Sequence, residues 1–223
     1  MIESDWQLAL RREVLLVRRQ MGSWINGVCF FVLIGFVYQL LLGSGLELSS
    51  QLSISLIWVL ALMSIMLVAE HWIKPDITSG YYDSWLGQGR SLHVLMVVKM
   101  LIQWLVNGGI LALIVPLLAF QLGLEVRLVP WLMLSIFLGS LACMCFCGFG
   151  AVITAGQSQS GVLLSIVVVP LNLPPLIFGI GLVIAQAEDF NHVPILAVLI
   201  AISLLAIALL PFAMSFGAKI VNE

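Results

Sequence analysis

The sequence predicts an all-α integral membrane protein with six transmembrane helices. Of its 223 residues, 62% are hydrophobic and only 9% charged. Mean hydropathy is +1.17. Apolar runs of 18–25 residues recur six times along the chain, and a bilayer-crossing helix needs about 20. Soluble domains average roughly 45–50% apolar and about 25% charged residues. This chain therefore lacks the polar residues to cover a globule, which excludes a soluble enzyme. A net charge of −2 leaves no basic footprint for nucleic acid.

In chain order, residues 1–23 precede the first run and carry Arg11, Arg12, Arg18 and Arg19. Trp6, Leu10, Val14, Val17 and Met21 fall within an arc of roughly 80° on a helical wheel, with the four arginines on the far side. Glu13 and Leu15 break this pattern. Two readings stand: a helix lying on the cytoplasmic membrane surface, or an ordinary positively charged flank. The predicted spans are 24–42, 52–69, 94–118, 131–155, 162–185 and 194–216. The first is longer than the roughly 7–15 residues of a signal-peptide apolar core, so it is expected to be an uncleaved helix. The largest pieces outside the spans, 1–23 and 70–93, fall short of the ~50 residues of a small domain.

Lysine and arginine placement sets the orientation. With six spans, Arg11, Arg12, Arg18, Arg19, Lys74, Arg90, Lys99 and Lys219 share one side and only Arg127 opposes them. Both termini are then cytoplasmic and loops 43–51, 119–130 and 186–193 face outward. The predicted organisation is a cytoplasmic amphipathic segment (1–23), a six-helix transmembrane domain (24–217) with a cytoplasmic loop at 70–93, and a cytoplasmic tail (218–223).

Several spans carry unusual residues. Lys99, Gln103 and Asn107 recur at i, i+4, i+8 and line one inward face of the third span. They form either part of a substrate path or a counter-ion for an acidic substrate. In the plainer reading Lys99 snorkels to the cytoplasmic interface while Gln103 and Asn107 bond to neighbouring helices. Gly139, Cys143, Cys147, Ala151 and Ala155 make a row of small residues suited to close helix packing. Cys143, Cys145 and Cys147 cannot share a metal easily, because residues two apart on a helix diverge. With Cys29 they read as small hydrophobes, and no Cys-x-x-Cys-His haem attachment motif is present. Pro170, Asn172, Pro174 and Pro175 predict a kinked or broken fifth span, a candidate hinge or simply tolerated packing. His71, His93 and His192 lie at interfaces and form no evident ligand set.

The most informative segment runs from Glu70 to Lys99. An acid stands at the helix exit, followed by Lys74, Pro75, Asp76 and Gly80, then Tyr81-Tyr82-Asp83-Ser84-Trp85-Leu86 and a glycine-containing turn. Tyr81, Trp85 and Leu86 offer a short patch for lipid or for a cytoplasmic partner. This arrangement resembles permease subunits of type-2-like ABC exporters, and more closely the haem exporter B (CcmB) family of cytochrome c maturation. The resemblance rests on Glu70, Asp76, Gly80, Leu86, Lys99 and Trp104, and on Gly161-Val162-Leu163-Leu164-Ser165-Ile166 running to Pro170 and Pro174. Tyr82-Asp83-Ser84-Trp85 and Gly87-Gln88-Gly89 depart from the family, which tends to have Leu-Glu-Gln-Leu after the glycine and a proline in the following turn.

The resemblance implies a non-catalytic permease in the bacterial inner membrane, with no bound metal or covalent cofactor and with haem as the possible substrate. Its implied partners are an ABC ATPase, a haem-handling membrane protein, a small membrane subunit and a periplasmic haem chaperone. The chain contains no Gly-x-x-x-x-Gly-Lys-Ser/Thr phosphate loop, in keeping with ATP being used by a partner. Glu70, Asp76, Gly80, Asp83, Trp85 and Leu86 are implied to couple that ATPase to the membrane helices, with Asp76 and Gly80 shaping the turn. Two alternatives remain at this stage: a non-transporting scaffold that couples ATP hydrolysis to chaperone release, and an exporter of another lipophilic substrate.

Overall fold

The computed structural model describes residues 5–19, 21–42, 49–154 and 160–221. The side chains of 21, 23, 24, 42, 70, 160–165 and 219–221 lie outside that description, so Glu70, the Gly161–Ser165 stretch and Lys219 are not placed in detail; nor is Ala155. Every regular element among the described residues is helical. In order they are α1 (Asp5–Arg19), α2 (Met21–Leu42), α3 (Ser50–Thr78), α4 (Tyr81–Gly87) and α5 (Leu92–Gln121), then a 3-10 turn (Val126–Leu128), α6 (Val129–Thr154), α7 (Ser160–Leu171), α8 (Leu173–Ala187) and α9 (Val193–Val221).

Four stretches are long and apolar enough to cross a membrane: Ser50–Thr78, Leu92–Gln121, Val126–Thr154 and Val193–Ala218. Ile25–Leu41 and Leu173–Ala187 are shorter apolar helices. Large apolar side chains stay exposed along them, among them Leu41 on α2, Leu113 and Leu117 on α5, and Leu204, Leu209 and Phe212 on α9. Apolar surface on this scale belongs against lipid or another membrane protein.

Helix α6 is central and packs against α3, α5, α7, α8 and α9. Its small residues permit this: Gly139, Cys143, Cys147 and Ala151 are all buried, and a side chain at Gly139 would collide with the Trp58 ring of α3. Gly179 of α8 meets the same indole, whose Nε1 donates to Ser135 Oγ at 2.9 Å. One buried tryptophan thus joins three helices through two glycines and a hydroxyl. Cys143, Cys145 and Cys147 are buried free thiols, whereas Cys29 is exposed.

The turns at one end of the bundle are tied together. Gln51 Nε2 donates to Glu188 Oε1 at 2.9 Å, and Ser53 Oγ donates to the Leu122 carbonyl at 3.3 Å. Arg127 pairs with Glu125 at 2.7 Å and Asp189 at 3.2 Å. The described residues of the predicted outer loops therefore share an end, and α1 and α4 pack at the other.

Two elements differ from expectation or refine it. The helix predicted to end near Ala69 continues as α3 through Pro75 to Thr78, because Ile73, Asp76 and Ile77 are buried and packing of one face outweighs the proline's lost hydrogen bond. The fifth apolar segment is broken at Asn172, as its composition suggested. Asn172 lies fully buried between α7 and α8, and its Nδ2 donates to the Val168 carbonyl at 2.8 Å. Pro174 and Pro175 stand at the start of α8, where a missing N–H costs least.

Candidate functional site

The chain turns after α3 at Gly80, whose φ of +66° is left-handed and favours glycine. This turn launches α4, which folds back on the bundle rather than projecting from it. Tyr82 and Trp85 are buried, and Trp85 Nε1 donates to the Ser91 carbonyl at 3.1 Å. Arg90 lies over the Trp85 ring at 5.1 Å. The expected Tyr81, Trp85 and Leu86 patch is therefore not a free surface: Trp85 anchors α4 inward, Leu86 is half-buried, and Asp83 and Ser84 face outward with Gly87, Gln88 and Gly89.

Behind α4 lies a cluster of four charges drawn from three helices. Lys99 of α5 is 1% exposed. Its Nζ stands 2.7 Å from Asp76 Oδ2 on α3 and 3.2 Å from Glu13 Oε2 on α1. Arg12 completes the set, bonding both carboxylate oxygens of Asp76 and Glu13 Oε1 at 2.6 Å. Two cations and two anions balance, the condition under which charges survive burial. The Arg12 guanidinium also lies 3.6 Å from the centre of the Tyr81 ring, a cation–π contact that binds the cluster to α4.

Burial opposes the charge on Arg12, but Asp76, through its hydrogen bond and its charge, and then Glu13 more than offset this and hold its pKa above the ordinary value. Burial also pushes the Tyr82 phenol well above its usual range, with Asp76 and Glu13 adding to the effect. The α1 end of the assembly is secured separately, where the Ser91 amide donates to Asp5 Oδ2 at 3.1 Å.

This geometry corrects one expectation and refines two. Lys99 does not snorkel: its ammonium is turned into the protein because two carboxylates await it there. Asp76 turns its carboxylate to Lys99 and Arg12, and its part in the turn is a backbone one, its carbonyl accepting from Ser79 Oγ at 3.3 Å, while Gly80 supplies the left-handed residue. Glu13, which interrupts the apolar arc of α1, is fully buried and belongs to the cluster. Sequence reasoning missed it, although an acid on an otherwise apolar arc opposite an intramembrane lysine was the available signal.

The remaining members of the polar row, Gln103 and Asn107, are buried as expected. Gln103 Oε1 and Asn107 Nδ2 lack hydrogen-bond partners among the described residues. The three histidines are scattered: His71 is exposed, while His93 packs on Phe212 and His192 on Trp131. Among the described residues no group of histidine, cysteine and acidic side chains is placed to hold a metal.

Comparison with known proteins decides the family. The model of the CcmB protein family matches residues 5–221. The chain belongs to the CcmB family. It is 34% identical over 215 residues to a heme exporter protein B of Pseudomonas aeruginosa, covering 96% of each chain. Similar relatives bearing the same name occur in Haemophilus influenzae, at 31% identity with 95% of this chain and 96% of the relative covered, and in Paracoccus denitrificans, at 32% with 95% and 97% covered. The matched region of this CcmB-family chain contains both α1 with Glu13 and the α3–α5 segment with Asp76 and Lys99, so the charge cluster lies wholly within family sequence.

Proposed function

We propose that this chain is the permease subunit of an ABC-type haem exporter of the bacterial inner membrane, serving c-type cytochrome assembly. Its six apolar segments cross the bilayer with both termini in the cytoplasm, as the lysine and arginine distribution requires. A separate ATPase subunit, acting as a dimer, docks on α4. A haem-handling membrane protein, a small membrane subunit and a periplasmic haem chaperone complete the pathway. Haem is substrate here, not a resident cofactor.

The observation that carries the reading is mechanical. Helix α4 is too short to hold a position alone, yet a left-handed glycine, a buried tryptophan and a four-charge cluster fasten it to α1, α3 and α5 at once. A push on the outward Asp83 and Ser84 face passes through Tyr81 and Arg12 to Asp76 on α3 and Lys99 on α5. Both are long apolar helices, so displacement of α4 moves the bundle. On the same reading the break at Asn172, with Pro170, Pro174 and Pro175 around it, is the hinge that takes up the movement. Glu70 stands in the same coupling segment by family resemblance.

Gly80 provides the test. A Gly80→Glu variant forces a side chain into a left-handed turn and should lose ATPase co-purification and c-type cytochromes, while Gly80→Asn, which tolerates that conformation, should retain most of both. Wild-type ATPase retention and cytochrome levels in the glutamate variant would overturn the coupling role. ATP-dependent appearance of haem inside inverted vesicles containing the complete complex then separates export from a purely scaffolding function. Intact cytochromes in a strain lacking the chain would point to another lipophilic substrate.

A further inference from the structure

Helix α1 has three faces. Ala9 and Glu13 point into the protein, and Trp6, Leu10 and Val14 are about half exposed on one flank. On the other flank lies a groove of about 430 Å³ lined by Leu8, Arg11, Arg12, Leu15, Leu16 and Arg19. At 100° per residue the two flanks are centred roughly 170° apart. If the apolar arc meets the membrane, the groove faces away from it. A lipid headgroup is therefore the wrong occupant, because its acyl chains would lead away from the bilayer.

The chemistry of the groove points elsewhere. Arg12 is committed to Asp76 and Glu13, but Arg11 and Arg19 have no ion-pair partner among the described residues. They stand two turns apart, about 12 Å along the axis, with Leu15 between them and half exposed. Through the Arg12–Tyr81 contact the groove runs on to α4. We infer that this groove docks an acidic amphipathic helix of the ATP-hydrolysing partner, with two carboxylates about two turns apart meeting Arg11 and Arg19 and an apolar side chain between them resting on Leu15. The inference rests on the reading that an ATPase engages α4, and adds a second, charge-specific contact to it.

The test uses the whole complex in native membranes, with a photo-crosslinking amino acid placed in turn at positions 14, 15 and 83. Positions 15 and 83 should capture the ATPase subunit, identified by mass spectrometry, and position 14 only lipid. The pair Arg11→Glu with Arg19→Glu should cut the yield at position 15 about tenfold, since like charges then face each other, while the yield at 83 persists and confirms a folded chain. Capture at 83 without capture at 15, capture of lipid alone at 15, or a yield at 15 indifferent to the charge reversal overturns the groove assignment and leaves α4 docking intact. Capture at neither site overturns both.

Discussion

Lys99 and Glu13 are the two residues whose surroundings decide their meaning. Each is almost wholly buried, so removing one leaves the other partly uncompensated, whereas removing both leaves Arg12 and Asp76 as a matched pair. Lys99→Met is therefore expected to destabilise the chain by about 3–5 kcal/mol. Adding Glu13→Leu should recover part of that loss. Thermal unfolding in detergent measures both, and additive losses in the double variant would refute a direct coupling between the two side chains. Lys99 was legible in the sequence as part of a polar row, because its i, i+4, i+8 repeat is a local property. Glu13 was visible only as an anomaly, since its partner lies 86 residues away and no local periodicity reports such a distance. Leu15, the second anomaly on α1, proves to line the groove.

At the scale of the element, glycines govern how closely helices meet. Trp58 fits between α6 and α8 only because Gly139 and Gly179 carry no side chain. Gly179→Val should expel the indole and break its bond to Ser135, at a cost of about 1–3 kcal/mol as overpacking. Red-shifted or broadened tryptophan emission with a lowered melting temperature is the expected signature, and Trp58→Leu in the same background should restore part of the melting temperature. Unchanged stability would mean that α8 is free to retreat. The small-residue row of α6 was readable from its spacing, and the interruption at Asn172 from its prolines. The continuation of α3 beyond Pro75 was not, because local propensity there argues for a stop while Ile73, Asp76 and Ile77 find buried partners on other elements. The same limit hid the inward turn of Trp85, whose carbonyl partner is supplied by the turn before α5.

For the molecule as a whole, hydropathy made the apolar segments legible, although among the described residues only four are helices long enough to cross a membrane, α3 runs on past its predicted end and the fifth segment is two helices, and the charge count divided the turns into two groups. The cross-loop bonds of Gln51, Ser53 and Arg127 agree with that division. Orientation in the bilayer is a separate matter with a direct check. A cysteine at Gln88 should react with a membrane-impermeant maleimide only after the inner face is exposed, and one at Glu125 should react from outside in intact cells lacking an outer-membrane barrier. The native Cys29, on the apolar α2, makes a Cys29→Ser background the suitable starting point. The reverse pattern would invert the proposed topology and place α4 beyond reach of ATP.

The charge cluster also constrains how the chain is made. Glu13 and Arg12 leave the ribosome long before Asp76, and Asp76 before Lys99, so until α3 and α5 have been made Arg12 and Glu13 have only each other within the cluster. Closure of the cluster therefore comes late in synthesis, since its last member, Lys99, stands on α5 and joins acids already carried by α1 and α3.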